Sequence, residues 1–480
     1  MRAAALHWIS GHWCQSHSHK LSPSYNPATD QVLGEFADGD ESEALAAIAA
    51  ARRVFETSPW AHQPRRRAAI LLEFASRLES ARSEIVGLLT AENGKLLRES
   101  DGELTLAISE LRYYAGLTRT IHGRISELDH GLHSVLAREP MGVAAIIVPW
   151  NAPIILLIRS LAPALAAGCT IVVKSAPQTA LVSEAVFRVL SQCTDLPVGA
   201  VNMFTEVGHS GSRLLVSSTD VDVVSYTGST SVGKQIMAAG AGTLKRLNLE
   251  LGGSAPCIIF PDFPLDTAVT ALVRAGMFMC GQQCVAASRL LVHKSILGSA
   301  QSAFAAALRA LRVGPGADPN SEMGPLIDTH NRDRVIKMVT NAGAQNEILL
   351  QGQPPFKPHN VGSFLSPSLI AIHDAESEIA NHEIFGPVLT IEPFADEDDA
   401  VFKSNRSRFG LAASVWTSDH IRGQRVASKV RAGTVWINSH GRLFPETETG
   451  GYKESGLGRL HGPQGLDEFL QTKHVSWESR

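Results

Sequence analysis

Apolar residues recur along this chain with two different periods. Between residues 41 and 55, Leu45, Ile48, Val54 and Phe55 fall at helical spacing and alanines fill the gaps. The pattern predicts a helix. Residues 64–78, 84–92 and 105–118 predict three more, after an opening 40 residues of short strands and turns around Asn26-Pro27-Ala28-Thr29-Asp30. Residues 120–138 differ. Ile121, Ile125, Leu128, Leu132, Val135 and Leu136 are separated by charged, small polar and glycine residues. This predicts an extended ribbon standing away from the domain body.

From Gly142 the apolar positions merge into continuous runs. Residues 143–148, 169–174, 201–205, 221–226 and 244–251 read as strands, the first of them buried on both faces. Residues 153–167, 181–192, 210–217 and 231–240 read as the helices between them. Such alternation implies right-handed crossovers and a doubly wound parallel sheet. After Gly253 a second alternating region begins. It has strands at 255–260, 289–292, 388–393, 412–416 and 434–438, and helices at 265–278, 295–310, 332–342 and 421–430. A Gly/Pro/Gln-rich loop is expected over 352–362 and a terminal strand within 467–477. The fold class is α/β.

Composition narrows the function classes. A chain of 480 residues exceeds one hydrophobic core and predicts two or three domains. Net charge is −4, with Lys and Arg scattered, which argues against a nucleic-acid partner. No apolar run reaches the length of a membrane span, and the first residues lack the apolar segment of a signal peptide. Six cysteines form no CxxC pair, which fits free thiols in a reducing, cytoplasmic setting. The histidines are scattered, so no metal site is expected.

In doubly wound sheets, ligands bind beyond the carboxyl ends of the strands. Pro149-Trp150-Asn151 and Lys174 stand there, as does Tyr226-Thr227-Gly228-Ser229-Thr230-Ser231-Val232-Gly233. Glycines and small hydroxyls at a helix start admit a phosphate, although the spacing is not GxGxxG and an ordinary capped helix reads the same. Lys174 suits a ribose or a phosphate, or is simply solvated. Glu250 lies in the apolar run Leu247-Asn248-Leu249-Glu250-Leu251-Gly252-Gly253. Desolvation there would raise its pKa toward that of a general base. The amide of Asn151 suits an oxyanion, with a turn asparagine as the plainer reading. Met279-Cys280-Gly281-Gln282-Gln283-Cys284 ends in a candidate nucleophile. The set is coherent for one reaction. The Cys284 thiolate attacks a carbonyl, and Asn151 with the Cys284 N–H holds the oxyanion. A hydride leaves to a nicotinamide, and Glu250 activates water to hydrolyse the thioester.

With these motifs the chain resembles the NAD(P)-dependent aldehyde dehydrogenases over nearly its whole length. The likeness extends to Met323-Gly324-Pro325-Leu326, Glu383-Ile384-Phe385-Gly386-Pro387 and Gly450-Gly451-Tyr452-Lys453-Glu454-Ser455-Gly456. It implies Cys284 as nucleophile, Glu250 as base and Asn151 as oxyanion donor. It implies Lys174 and Glu383 at the cofactor's riboses, Phe385 beside the nicotinamide and Ser229 at the pyrophosphate, with Pro149, Trp150, Gly228 and Gly233 completing the cofactor set. It also implies a cofactor domain (1–118 and 140–252), a catalytic domain (253–450) and an oligomerisation ribbon (119–139 and 465–480) that builds a homodimer or homotetramer. There are three departures. Where the family reads Lys-Pro-Ser-Glu, this chain has Lys174-Ser175-Ala176-Pro177, so the glutamate that repels a 2′-phosphate is missing. NAD and NADP both stay open, NAD being favoured because no extra basic residue lies nearby in the sequence. Met279 replaces a common asparagine, and Glu448-Thr449-Gly450-Gly451 replaces Pro-Phe-Gly-Gly.

Arg159 lies eight residues after Asn151, about two helical turns on and on the same face. It matches a carboxylate-binding arginine of the succinate-semialdehyde branch, whose second arginine is here Phe278. His440 and Arg442 are expected to add polar contacts. The expected substrate is an acidic semialdehyde, the alternative an aromatic or aliphatic aldehyde with Arg159 paired internally. A CoA-acylating enzyme is disfavoured by Glu250, and a retired structural scaffold by the presence of Cys284, Glu250 and Asn151 together.

Overall fold

The computed structural model describes residues 4–354 and 361–479. Strand Val143–Ile147 shows why the central sheet is apolar throughout. Side chains alternate across a strand. Ala144 and Ile146 therefore enter one core, with helices Pro64–Ser80, Leu97–Thr118 and Pro153–Ala167. Val143, Ala145 and Ile147 enter a second, with helices Glu41–Thr57 and Ser210–Ser217. Both faces are covered, as a parallel sheet requires.

In that sheet Arg246–Glu250, Val223–Thr227, Val143–Ile147, Thr170–Ser175 and Val201–Thr205 are parallel neighbours in this order. Antiparallel strands extend it at both ends: Gly456–Leu457 beside Arg246–Glu250, and His7–Ile9 beside Val201–Thr205. Chain order reverses at Val143–Ile147, so Trp150 and Asn151 leave the sheet at its switch point, where α/β sheets open a crevice. A second sheet runs Glu347–Leu350, Ser368–Ala371, Val388–Phe394, Ala287–His293, Ala255–Ile259, Ala412–Trp416, Thr434–Ile437 and is parallel apart from its first strand. The ribbon is a third sheet. Leu132–Pro140 lies between Arg124–Asp129 and Leu470–Glu478, antiparallel to both.

The structure departs from the sequence expectation in several elements. The helix expected at 105 begins at Leu97. Its first turns look like solvated surface, yet Glu99 and Glu103 are buried. Glu99 accepts the N–H of Leu96, and Glu103 accepts that of Ile154 at the start of another helix. Strands Glu347–Leu350 and Ser368–Ala371 are four residues each, too short for a period to register. Helix Glu397–Arg406 opens on three acidic residues that suit its N-terminus but hide its apolar face. Residues 355–360 of the expected loop lie outside the described residues. Among the described residues no helix is long and apolar enough to cross a membrane, and no group of metal-ligating side chains is found.

Candidate active site

Cys284 is placed by an unusual turn. Helix Leu265–Met277 ends, and Met279, Cys280 and Gly281 follow with φ of 50°, 58° and 71°. Left-handed backbone costs a non-glycine residue of order 1 kcal/mol or more. The cost at Met279 is offset by a buried carboxylate, since its N–H donates to Glu99 Oε1 at 2.9 Å. Gly281 must be glycine on a second count, because a Cβ there would stand 2.2 Å from the Gly386 carbonyl oxygen. The loop is packed equally closely from the other side, where a Cβ on Gly253 would meet the Cys284 carbonyl oxygen at 2.2 Å. Gly253 thus lets that strand end touch the cysteine loop, while Gly252 lets Glu383 approach, a Cβ there standing 2.4 Å from its Oε2.

Cys284 is half-buried, and burial pushes its thiol up to about 12, with Arg159 pulling it down and Glu250 and Glu383 reinforcing the rise. Glu250 ends strand Arg246–Glu250 and is buried. Desolvation raises its pKa above the ordinary carboxylate range, and Arg159 opposes this only in part. Glu250 Oε1 has no partner among the described residues, and Oε2 stands 3.7 Å from Arg159 Nη1. The side chain of Asn151 donates to the Gln282 carbonyl at 3.0 Å, two residues before the cysteine. An amide carries two N–H donors, so one fixes the side chain and the other makes no hydrogen bond among the described residues. Lys95 holds the same residue from behind, donating to the Asn151 carbonyl at 2.7 Å. Truncating Asn151 to alanine should lower kcat by about 10²–10³-fold while leaving cofactor affinity intact, checked by steady-state kinetics and cofactor titration.

Cys284, Glu250, Asn151 and Arg159 line one cavity of about 440 Å³. Its remaining wall is largely apolar: Ile155, Leu156, Phe278, Val285, Leu443 and Phe444. Glu110 and His461 also line it, bonded to each other at 2.9 Å through His461 Nδ1. Neither was legible in the sequence. They are 351 residues apart, and neither belongs to a local motif.

Two residues expected at the substrate, His440 and Arg442, do not line this cavity. His440 is half-buried, with Nδ1 bonded to Ser414 Oγ at 3.0 Å and Nε2 to the Val285 carbonyl at 2.7 Å. Burial holds its pKa down to about 4. Arg442 is exposed and lines no part of the cavity, and the neighbouring Leu443 and Phe444 reach it instead. Arg159 lines the cavity, but its guanidinium is engaged with Thr227 Oγ1 at 3.0 Å and with Glu250.

A second cavity, of about 890 Å³, is lined by Pro149, Trp150, Lys174, Gly228 and Ser229. Lys174 is buried, and its ammonium has no hydrogen-bond partner among the described residues. Desolvation lowers its pKa, with Glu206 and Asp38 opposing. A buried cation without a partner is costly, so the site suits the hydroxyls and phosphates of a dinucleotide. Ser229 caps helix Thr230–Gly240, whose N–H groups open toward the same space. Gly233 packs inside instead. A Cβ there would collide with Leu251 at 2.5 Å, so this glycine lets helix and strand approach. Glu383 and Phe385 line neither cavity. Glu383 accepts the Gly253 N–H at 3.1 Å, and burial raises it to about 7. Phe385, at φ 52°, meets Trp150 edge-to-face with centroids 5.6 Å apart. His209 and Arg213, distant from Pro177 in the sequence, line the same cavity.

The profile of the aldehyde dehydrogenase family matches residues 13–475. The betaine aldehyde dehydrogenase of Bacillus subtilis is 35% identical over 473 residues, covering 98% of this chain and 96% of that one. A phenylacetaldehyde dehydrogenase of Pseudomonas fluorescens is 35% identical over 476 residues, covering 97% and 94%. The crystal structure of a Staphylococcus aureus betaine aldehyde dehydrogenase in complex with NAD+ superposes with a TM-score of 0.97 at 34% identity, covering 99% of this chain and 95% of that one.

Proposed function

Because the chain belongs to the aldehyde dehydrogenase family, we propose that it oxidises an aromatic or aliphatic aldehyde to the free carboxylic acid with NAD(P), through a thioester on Cys284. The observation that carries the substrate class is the cavity wall. Around Cys284 it is built from Ile155, Leu156, Phe278, Val285, Leu443 and Phe444, and its one deep guanidinium, Arg159, is already engaged by Glu250 and Thr227. Binding a substrate carboxylate there would require Arg159 to leave a buried carboxylate unpaired, which costs several kcal/mol by about the measure of a broken buried pair. An apolar aldehyde makes no such demand.

The chemistry follows from the placed groups. The Cys284 thiol gives up its proton to solvent as its sulfur adds to the aldehyde carbon, and the carbonyl π electrons move onto oxygen. The spare N–H of Asn151 and the Cys284 backbone N–H receive the negative oxygen. NAD(P), when bound, supplies the hydride acceptor. The acyl group is then held as a thioester on Cys284. Glu250, on the same wall with an unpartnered oxygen and a raised pKa, takes a proton from water as the water attacks that thioester. Release of free acid rather than acyl-CoA is expected for this reason. The subunit arrangement is proposed to be a homodimer or homotetramer joined through the antiparallel ribbon, whose outer side chains Ile125 and Leu128 are exposed.

The substrate reading is tested by kcat/KM for benzaldehyde, hexanal and succinate semialdehyde in the parent enzyme and in Arg159→Ala. Benzaldehyde and hexanal should exceed succinate semialdehyde, and the benzaldehyde-to-succinate-semialdehyde ratio should stay within about twofold in the variant. A selective loss of succinate semialdehyde turnover would return Arg159 to the role of carboxylate receptor.

A further inference from the structure

One wall of the cavity at Cys284 holds a histidine in a conformation that histidine avoids. His461 has φ 60° and ψ 175°, a region in which a side chain crowds the backbone and which belongs almost wholly to glycine. Such strain persists only where the surroundings hold it. Here helix Leu97–Thr118 holds it twice, from residues one turn apart. Tyr114 Oη donates to the carbonyl of the next residue, Gly462, at 3.0 Å. Glu110, fully buried, accepts from His461 Nδ1 at 2.9 Å. The Gly462 N–H donates to the Pro445 carbonyl at 2.7 Å, which ties the turn to the loop carrying Leu443 and Phe444. The bent backbone thus sets one ring into the cavity wall.

A carboxylate only accepts, so Nδ1 carries the hydrogen and Nε2 is the ring's remaining polar atom. Nε2 makes no hydrogen bond among the described residues, although the side chain is only 6% exposed. Other charged groups on the wall are occupied. Arg98 donates to the Ser321 carbonyl, Glu99 and Glu103 accept backbone N–H groups, and Arg159 is held by Thr227 and Glu250. A buried polar atom without a protein partner suits a polar group on the ligand. Charge limits which one. A substrate carboxylate at His461 would approach Glu110, with Glu250 on the same wall, and an ammonium would share the space with Arg159. A hydroxyl is neutral, and it donates to a bare Nε2 or accepts from a protonated one. Phe278, Phe444, Ile155 and Leu156 suit an aromatic body. A rigid ring holds its hydroxyl at a fixed distance from the aldehyde carbon, so little chain entropy is lost in reaching a fixed histidine. Resting on the reading of an apolar aldehyde oxidised at Cys284, we propose that His461, held by Glu110, is a specificity residue that receives the hydroxyl of a ring-hydroxylated aromatic aldehyde. It touches the far side of the substrate and takes no part in the steps at Cys284 and Glu250.

Steady-state kinetics test this with 2-, 3- and 4-hydroxybenzaldehyde, each against the methoxybenzaldehyde of the same position, which has similar ring electronics and no hydroxyl hydrogen. At one position or more, kcat/KM for the hydroxyl compound should exceed that of its methyl ether by roughly tenfold, the worth of one hydrogen bond to a buried group. In His461→Phe that ratio should fall to within about twofold, through a rise in KM for the hydroxyl compound, while benzaldehyde keeps its parent kcat/KM within about threefold. His461→Gly, which adopts φ 60° without strain, gives the same readout should the larger ring disturb folding. A parent in which no hydroxyl compound outruns its ether, or a ratio unmoved in both variants, overturns the hydroxyl subsite. Benzaldehyde turned over no faster than succinate semialdehyde by the parent is a separate outcome, which overturns the apolar-aldehyde reading and the subsite with it.

Discussion

Replacing Cys284 by serine should lower kcat for aldehyde oxidation by roughly 10⁴–10⁶-fold, the usual consequence of removing a covalent nucleophile whose partners act as a unit. The loss should appear already in the first turnover, because the hydride departs only after sulfur has added to the carbonyl. A variant that still released NAD(P)H in a first-turnover burst would remove the thioester from the mechanism. The native thiol gives a second readout. With its pKa pushed up to about 12 by burial, it is almost wholly protonated at neutral pH in the resting protein. The rate of alkylation by iodoacetamide should therefore climb about tenfold per pH unit through pH 9 and 10, where an unperturbed thiol of pKa about 8.5 would already level off. The buried thiols Cys169, Cys193, Cys257 and Cys280 should stay unlabelled. A plateau near pH 8 would show that the resting sulfur is activated, contrary to its surroundings.

Replacing Glu250 by glutamine should separate the two halves of the reaction. Acylation does not require the base, so a burst of NAD(P)H of about one per site should survive. Steady-state turnover should fall by about 10²–10⁴-fold, the range of a lost general base. Intact-mass measurement should then find the acyl group on the protein. Equal loss of burst and turnover would place Glu250 in acylation instead. The parent's acid limb follows from the same residue. Its pKa is raised in the fold, chiefly by burial, and a general base works only above its pKa. Deacylation should therefore fade as pH drops through a value above the ordinary carboxylate range. Arg159 lowers that value by its charge, so Arg159→Ala should shift the limb upward.

Much of this site was legible in the sequence because its members sit at the ends of strands, where a local motif and a position in the sheet coincide. Asn151, Lys174, Gly228 and Glu250 each follow or end a run of apolar residues, and the fold brings them to its crevices for that reason. The chain does not announce what happens between distant segments. His440 has the chemistry of a substrate contact and spends both ring nitrogens on Ser414 and the Val285 carbonyl. Glu99 and Glu103 look like the wet face of a helix, yet they tie down Met279, 180 residues from Glu99, and the start of helix Pro153–Ala167. Arg159 was equally open to a substrate and to an internal partner. Only the position of Glu250, on another strand, inclines the geometry toward pairing. Apolar periodicity specifies which face is buried. It does not specify which buried polar atom meets which.

The ribbon constrains how the chain is made. Leu132–Pro140 is flanked on one side by a strand just before it, and on the other by Leu470–Glu478, with partners such as Pro140 and Gln471 separated by 331 residues. During synthesis the hairpin of residues 124–140 therefore emerges with one edge unsatisfied and must wait for most of the polypeptide before that edge is closed. Unpaired strand edges seek any available partner, and non-local pairing of this kind is slow. The same closing segment reaches the core, since the Phe469 carbonyl accepts the Met141 N–H and the buried Phe469 ring packs in the cluster beneath the central sheet. Nascent chains arrested before residue 469 should thus carry the whole Cys284 loop on a body that has not locked. They are the species on which chaperones, or neighbouring copies of the hairpin, would act.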